Sequence, residues 1–198
     1  MPPRATRILL IVSAFVAGLV LCFSVIWLVA PRGPGAIAPA TAAIGGSFEL
    51  VNQDGRSVSA QDLKGRPFLV FFGFTHCPDV CPTTLFEVSE VLRALGPDAD
   101  KVNALFVTVD PERDTPDKLK DYLSSFDPHL TGLTGSPEAI AAMTKSYRVY
   151  VKKVPQTDGY TMDHTAIVYL MDKEGRFVAP FSLKRPPADA AADLRKYF

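Results

Sequence analysis

Two cysteines, Cys77 and Cys81, lie four residues apart in the segment PFLVFFGFTHCPDVCPTT, and their type and spacing indicate chemistry. An apolar run, residues 68–74, precedes them, and Pro82 follows directly. Because proline is tolerated in a helix only in the first turn, we expect a helix to begin near residues 79–82. Cys81 would lie at its entrance with Cys77 just outside, where free backbone N–H groups and the helix dipole favour thiolates.

The chemistry open to this pair depends on its spacing. Two thiolates on one turn are soft donors, which select cuprous copper or zinc over hard ions. A thiol–disulfide exchange enzyme usually has two residues between its cysteines, whereas three separate these, namely Pro78, Asp79 and Val80. The pair can still oxidise, so a soft metal site, a redox pair and a structural disulfide are all open interpretations.

The segments around the turn alternate between strand and helix patterns. The apolar runs and turn signals predict strands at 48–51, 56–59, 68–74, 104–109, 165–171 and 177–183, and helices at 83–95, 117–126, 136–147 and 189–197. A strand, cysteine turn, helix and strand should form a parallel pair through a right-handed crossover, and the last two strands should add antiparallel. This order predicts an α/β, thioredoxin-like fold with extra N-terminal strands and an inserted helix, preceded by one transmembrane helix.

Among the three histidines, His164 is the candidate third ligand. It directly precedes the predicted strand 165–171, and in a thioredoxin-like fold the residue at that position faces the cysteine pair. A neutral imidazole there would complete a site of two cysteines and one histidine, although a histidine that only caps the strand is the alternative. We expect His76 to shape the cysteine loop and His129 to be solvated.

Acidic residues near these positions have simpler interpretations. Asp79 is expected to cap the helix by accepting from backbone N–H groups, with a weak outer-ligand role as the alternative. Asp163 either orients His164 as a hydrogen-bond acceptor or is a solvated loop acid. The segment VDPERDTPDKL, which begins at Val109, has the composition of a turn followed by a helix cap.

The N-terminal part of the chain has the pattern of a membrane anchor. Residues 8–30 form 23 residues without a charge, and at about 1.5 Å per residue such a helix spans a hydrocarbon core of roughly 30 Å. We therefore predict a cytoplasmic tail at 1–7, an anchor at 8–30, a Pro/Gly/Ala-rich tether at 31–46 and the thioredoxin-like domain at 47–198. A cleavable signal peptide is the alternative, but its apolar core is usually only about 7–15 residues long.

The charges and the cysteine count indicate where the domain lies relative to the membrane and which kinds of partner it could bind. Arg4 and Arg7 precede the apolar run and only Arg32 follows closely, so the N-terminus is expected in the cytoplasm and the domain in the periplasm, or in the mitochondrial intermembrane space. The whole chain has no net charge, but its first 47 residues hold three arginines and no acids, so the domain is mildly acidic. A mildly acidic domain gives no electrostatic reason to expect nucleic-acid binding. Cys22 lies in the apolar run, so the domain has one cysteine pair, which in an oxidising space needs a metal or a reductant to work.

Three motifs together resemble the Sco/SenC family. FGFTHCPDVCPTTL, VTVDPERDTPDKL and DHTAIVYLMD occur in this order, and the resemblance covers about residues 44–198. It implies a membrane-anchored, thioredoxin-like copper protein that serves assembly of the binuclear copper centre of cytochrome c oxidase subunit II. By this resemblance Cys77, Cys81 and His164 bind copper as Cu(I) or Cu(II).

The resemblance leaves copper delivery and thiol reduction of the oxidase subunit as alternatives. Thiol reduction would make Cys77 and Cys81 catalytic, as a thiol–disulfide oxidoreductase. Further partners would be another periplasmic copper chaperone or a thioredoxin-like reductant. A peroxidase would need an arginine beside the nucleophilic cysteine, and Arg148 is only a remote candidate.

Overall fold

The computed structural model describes residues 4–29 and 44–198, and the chain divides into two units, Met1–Thr41 and Ala42–Phe198. The first unit contains helix α1, Arg4–Val29. Within the described residues, no helix has both the length and the apolar character needed to cross a membrane. The anchor predicted at 8–30 is therefore not confirmed. Residues 1–3 of the predicted tail, the last residue of the predicted anchor and residues 31–43 of the predicted tether lie outside the described residues.

The second unit is an α/β fold built on a mixed sheet. Its strands are β1 (Glu49–Asn52), β2 (Ser57–Ser59), β3 (Phe68–Gly73), β4 (Asn103–Thr108), β5 (Leu130–Thr134), β6 (Val151–Gln156), β7 (Gly159–His164), β8 (Val168–Met171) and β9 (Phe177–Pro180). Its α-helices are α2 (Val80–Leu95), α3 (Pro116–Leu123), α4 (Pro137–Ser146) and α5 (Pro187–Leu194), and short 3₁₀ helices follow α2 and α5 at Gly96–Lys101 and Arg195–Tyr197.

Strand β3 lies near the middle of the main sheet, whose order is β2-β1-β5-β4-β3-β8-β9. It runs parallel to β4 and antiparallel to β8, and all six of its residues are buried. A strand buried on both faces needs cover on both faces, which explains its continuous run of apolar residues. The predicted thioredoxin-like α/β fold is confirmed, including the parallel β3–β4 pair and the antiparallel addition of β8 and β9.

Helices α3 and α4 begin where the sequence predicts, because each has a hydroxyl cap followed by proline. The Thr115 hydroxyl accepts a hydrogen bond from the Lys118 N–H at 3.4 Å. The Ser136 hydroxyl accepts from the Ala139 N–H at 3.2 Å. Proline at the first helical position costs no hydrogen bond, since that N–H has no partner within the helix.

Strand β5 is absent from the sequence prediction. It lies parallel to β4 and antiparallel to β1, and so joins the N-terminal hairpin to the rest of the sheet. Its sequence, LTGLT, is short and has a glycine at the centre, which weakens a strand pattern. The glycine is needed because a Cβ on Gly132 would lie 2.7 Å from Leu123 Cδ1.

The hairpin of β6 and β7 is also absent from the prediction, and it changes the setting of His164. Within the described part of the chain, the two strands pair only with each other, as a separate two-stranded sheet. Their side chains are half-buried or exposed, so no apolar run marks them; the Asp158-Gly159 dipeptide was the available hairpin signal. The strand predicted at 165–171 begins only at Val168, so His164 ends β7 instead of directly preceding β8.

Candidate metal and thiol site

The entrance of α2 places the two cysteines differently. Cys81 is the second residue of the helix, and Cys77 lies in the turn before it. The sulfur of Cys77 accepts a hydrogen bond from the Cys81 backbone N–H at 3.4 Å. Asp79 stands at the N-cap position, yet in the described part its side chain makes no capping hydrogen bond. The prediction that the Asp79 side chain caps this helix is therefore wrong. Instead, the Cys77 sulfur accepts a hydrogen bond from a backbone N–H group in the first turn of the helix.

Cys81 is fully buried against the end of β3. A Cβ added to Gly73 would lie 2.8 Å from the Cys81 sulfur and 2.7 Å from the ring of Phe106. Contacts this short do not occur for real Cβ atoms, so a residue larger than glycine at position 73 would force the sulfur or the ring to move. Glycine at the end of this strand thus makes room for the thiol.

Burial raises the pKa of the Cys81 thiol well above its usual range, and the hydrogen bond and nearby charge of Cys77 add to the effect. An N–H bond from Phe74 opposes it but is the weaker influence. The expectation that the helix entrance favours a thiolate is therefore wrong for Cys81 in the metal-free protein. A bound metal requires the thiolate, so binding at Cys81 must release a proton.

His164 lies beside Cys81, as the sequence predicts. Its Nε2 atom is 3.6 Å from the Cys81 sulfur, although 83 residues separate the two. Its Nδ1 atom is 3.2 Å from the carbonyl oxygen of Thr165. Since a carbonyl can only accept, the proton belongs on Nδ1, and Nε2 presents its lone pair toward the sulfur. This is the tautomer that a metal ligand at Nε2 needs.

The imidazole is packed between aromatic rings. Phe74 and Phe71 make edge-on contacts with it, at ring-centroid distances of 5.8 and 6.3 Å. Burial lowers the pKa of His164, and the hydrogen bond to Thr165 and the charge of Asp163 oppose that shift. No hydrogen bond within the described part joins Asp163 to His164, so the orienting acceptor is the Thr165 carbonyl. The neutral imidazole is the favoured form.

Cys77 is the least fixed of the three predicted ligands. It is half-exposed, and both it and Cys81 are free thiols. Across residues 4–29 and 44–198, no group of three or more His, Cys, Asp or Glu side chains is arranged to hold a metal ion. The structure thus brings Cys81 and His164 together and links Cys77 to Cys81 through one hydrogen bond. The three-ligand set stays a prediction.

The other candidates lie apart from this pair. His76 is exposed, with its Nδ1 atom 3.2 Å from the Thr75 hydroxyl, in keeping with a role in loop shape. His129 is exposed, as expected of a solvated histidine, and its Nδ1 atom lies 2.6 Å from Asp127 Oδ1. Arg148 is exposed at the end of α4 with φ of 56°.

Comparison with known proteins agrees with this fold and these motifs. Residues 37–198 match the family model described as SCO1/SenC. The chain belongs to the SCO1/SenC family. Among solved structures, this Sco-family chain is similar to copper-bound ScoI of Bradyrhizobium japonicum, with 68% identity, a TM-score of 0.78, and coverage of 79% of this chain and 100% of that one.

Two further relatives extend the comparison. SCO1 homolog 1 of Arabidopsis thaliana, a mitochondrial protein, is 41% identical over 82% of this chain and 48% of its own length. BsSco is 28% identical, with a TM-score of 0.66 over 78% of this chain and 93% of its own. It is a member of the Sco family of cytochrome c oxidase assembly proteins and contains a disulfide switch.

A buried carboxylate that sequence reasoning missed joins two of the motifs in this Sco-family protein. Asp114 is fully buried. It accepts hydrogen bonds from the Thr75 N–H at 3.0 Å and from the hydroxyls of Thr75 and Thr108, each at 2.6 Å. It therefore ties the loop before Cys77 to the end of β4. The only sequence signal was an acidic residue inside VDPERDTPDKL, a segment whose turn composition concealed this role.

Proposed function

We propose that this protein carries copper as its cargo and delivers it to the binuclear copper centre of cytochrome c oxidase subunit II. Cys77, Cys81 and His164 are the proposed ligands. The observation that carries the proposal is the 3.6 Å approach of His164 Nε2 to the Cys81 sulfur, with the Nε2 lone pair directed at it. A site of thiolate and imidazole ligands binds copper in preference to hard cations.

The proposed site has one buried ligand and two partly exposed ones. Cys81 is fully buried, whereas Cys77 and His164 are half-exposed. A cargo site must hold its ion and also release it. Of the two sulfur ligands, Cys77 is placed to be displaced first when sulfur ligands from an acceptor protein approach, because Cys81 is buried.

Relatives support copper as the cargo and oxidase assembly as the setting. ScoI of B. japonicum, at 68% identity, has been solved with copper bound. BsSco belongs to a family of cytochrome c oxidase assembly proteins. Cytochrome c oxidase subunit II is the proposed recipient, and another periplasmic copper chaperone is the proposed donor.

Copper(I) binding by the reduced full-length protein in detergent tests the proposal. Competition with a chromophoric Cu(I) chelator under anaerobic conditions should give one copper per chain. Replacing either cysteine by serine, or His164→Ala, should lower the affinity by more than about 100-fold, since removing even a supporting residue around a metal costs about 10–100-fold. His76→Ala is the matched control and should bind as the wild type does. Unchanged affinity in His164→Ala would contradict the three-ligand site.

Thiol–disulfide exchange is a second candidate, favoured by the unequal exposure of the two cysteines. In this scheme the Cys77 thiolate attacks a disulfide of the oxidase subunit and releases one thiolate of that partner. Cys81 then loses its proton and attacks Cys77, which frees the second partner thiolate and leaves Cys77 and Cys81 joined as a disulfide. A thioredoxin-like protein supplies the two electrons that restore the pair. Exchange with a disulfide peptide that persists with a copper chelator present would support this activity, and its loss would argue against it.

Attachment to the inner membrane through residues 8–30 is part of the proposal. The support comes from the uncharged run and the flanking arginines, which place the N-terminus in the cytoplasm and the domain in the periplasm. Fractionation of cells followed by carbonate extraction tests attachment. The protein should stay with the membrane pellet, and a thiol reagent that cannot cross the inner membrane should label Cys77. Release into the soluble fraction would contradict the anchor.

A further inference from the structure

The hairpin that carries His164 is not held by the hydrogen-bond ladder of the main sheet. Strands β6 and β7 pair only with each other, and His164 is the last residue of β7. Its backbone partner across the hairpin is Val151. Apart from the short connection that joins His164 to β8, the position of the hairpin beside Cys81 therefore depends on side-chain contacts that attach it to the rest of the domain.

One group of polar contacts attaches the hairpin to the loop after β4. Arg113 donates from Nη1 to the carbonyl oxygen of Tyr160 at 3.0 Å. The Tyr160 hydroxyl donates to Asp110 Oδ1 at 2.9 Å, and Arg113 Nε donates to Asp110 Oδ2. Asp110, Arg113 and Tyr160 thus form a closed triangle, which we call the latch.

Within the latch, the Asp110 carboxylate is buried, and the Arg113 guanidinium stacks on the Tyr160 ring. The Asp110 side chain is 3% exposed, so water screens its ion pair with Arg113 little. The guanidinium carbon of Arg113 lies 3.9 Å from the centroid of the Tyr160 ring. Removing Arg113 would leave the buried Asp110 carboxylate without its charged partner, which costs more than losing an exposed ion pair.

The latch and His164 share a strand and a neighbour. Tyr160 and His164 are four residues apart on β7, and side chains at even spacing along a strand point to the same face. The ring of Phe74 lies against both groups, with its centroid 5.9 Å from the Arg113 guanidinium carbon and 5.8 Å from the His164 ring. A movement of Tyr160 would therefore be transmitted to His164 along about 13 Å of one strand.

We propose that Arg113 and Tyr160, together with Asp110, are positioning residues that hold the β6–β7 hairpin so that His164 stays beside Cys81. This inference rests on the proposed copper function for its purpose, but the latch itself is a property of the metal-free protein. Opening the latch would move His164 away and uncover Cys81. The site would then retain its two sulfurs while its imidazole is no longer prealigned.

The first arm of the test needs no metal. In the reduced, metal-free protein, alkylation of Cys81 by iodoacetamide is followed by mass spectrometry, with Cys77 as the internal reference. Tyr160→Phe removes one hydrogen bond and keeps the ring, and it should speed alkylation of Cys81 about fivefold. Arg113→Ala should speed it more, and Arg113→Lys, which keeps the charge, should restore part of the protection. Hydrogen exchange of the β7 amides should accelerate in the same order.

The matched control is Arg195→Ala. Arg195 also donates hydrogen bonds to a carboxylate, that of Asp98, and to two backbone carbonyls, those of Ala94 and Leu95. It contacts neither the hairpin nor the cysteines. It should lower stability without changing Cys81 alkylation. If Arg195→Ala and the latch variants raise Cys81 alkylation equally at equal stability, the effect is general loosening and the latch is refuted.

The second arm measures Cu(I) affinity in a double-mutant cycle. Arg113→Ala should lower the affinity by about 10–100-fold at unchanged stoichiometry. In the His164→Ala background the same change should have no further effect, because the residue that it positions is gone. Additive losses would overturn the positioning role. If the wild type binds no copper, the proposed function fails, and the alkylation arm still decides whether the latch exists.

Discussion

The sulfur of Cys81 and Nε2 of His164 lie 3.6 Å apart because β3 and β8 are antiparallel neighbours. Phe71, near the end of β3, is paired with Val168, the first residue of β8. The chain that leaves β3 for the cysteine turn therefore emerges beside the chain that arrives at β8 from His164. This pairing brings together residues that are 83 positions apart.

Gly73→Ala should damage the site and the fold together. The added Cβ would meet the Cys81 sulfur at 2.8 Å and the Phe106 ring at 2.7 Å. Such crowding in a packed core costs about 1–3 kcal/mol, and because the sulfur must shift we also expect weaker copper binding. Chemical denaturation and chelator competition measure the two effects.

The control for this substitution is Gly132→Ala. Its Cβ would also meet a side chain at 2.7 Å, that of Leu123, in a part of the core that does not contact the cysteines. It should lose stability and keep the copper affinity of the wild type. Equal losses of affinity in both variants would show that crowding acts through the fold alone.

Asp114→Asn should destabilise the protein although it preserves shape. The carboxylate accepts three hydrogen bonds from Thr75 and Thr108, and an amide can accept on only one side. Hydrogen bonds to charged groups contribute about 1.5–3 kcal/mol each, so a loss of about 2 kcal/mol or more in the free energy of unfolding is expected. Urea denaturation measures it.

Asp62→Asn provides the comparison. Asp62 also accepts from the N–H and hydroxyl of one residue, Ser59, but it does so at the surface. Its replacement should cost much less stability than Asp114→Asn. A comparable loss in the two variants would mean that burial does not increase the contribution of the Asp114 hydrogen bonds to the free energy of unfolding.

Alkaline pH should destabilise the fold through Tyr147. Burial raises the pKa of this phenol, which packs against the rings of Phe72 and Tyr169. An unfolded tyrosine ionises near pH 10, whereas the buried one stays neutral. Its contribution to stability is therefore intact below pH 10 and declines above it, by up to about 1.4 kcal/mol per pH unit. Unfolding free energies of the wild type and Tyr147→Phe, measured from pH 8 to 11, should diverge above pH 10; parallel curves would contradict this.

The sequence allowed prediction of the parts of the fold that have strong local patterns. The apolar run 68–74 and Pro82 marked β3 and the start of α2. The Thr115-Pro116 and Ser136-Pro137 pairs marked two helix starts. These signals are local, because an uninterrupted apolar run and a capping residue act on their own neighbourhood.

Features that depend on tertiary contacts were not predictable in the same way. Strand β5 has a glycine at its centre because a side chain on α3 leaves no room for a Cβ there. The β6–β7 hairpin has no fully buried face, so no apolar pattern indicates its strands. The raised pKa of Cys81 follows from burial, which outweighs the backbone hydrogen bond at Phe74. Asp79 occupies the expected cap position, but the sulfur of Cys77 makes the bond to the helix N–H.

X-ray absorption spectroscopy of the copper(I)-loaded protein tests the central claim most directly, because it counts the atoms bound to the metal. We expect two sulfur scatterers and one nitrogen scatterer in the wild type. We also expect the nitrogen shell to be lost in His164→Ala, with both sulfurs retained. A wild-type spectrum with sulfur alone, or one that His164→Ala leaves unchanged, would contradict the claim that this histidine completes the site.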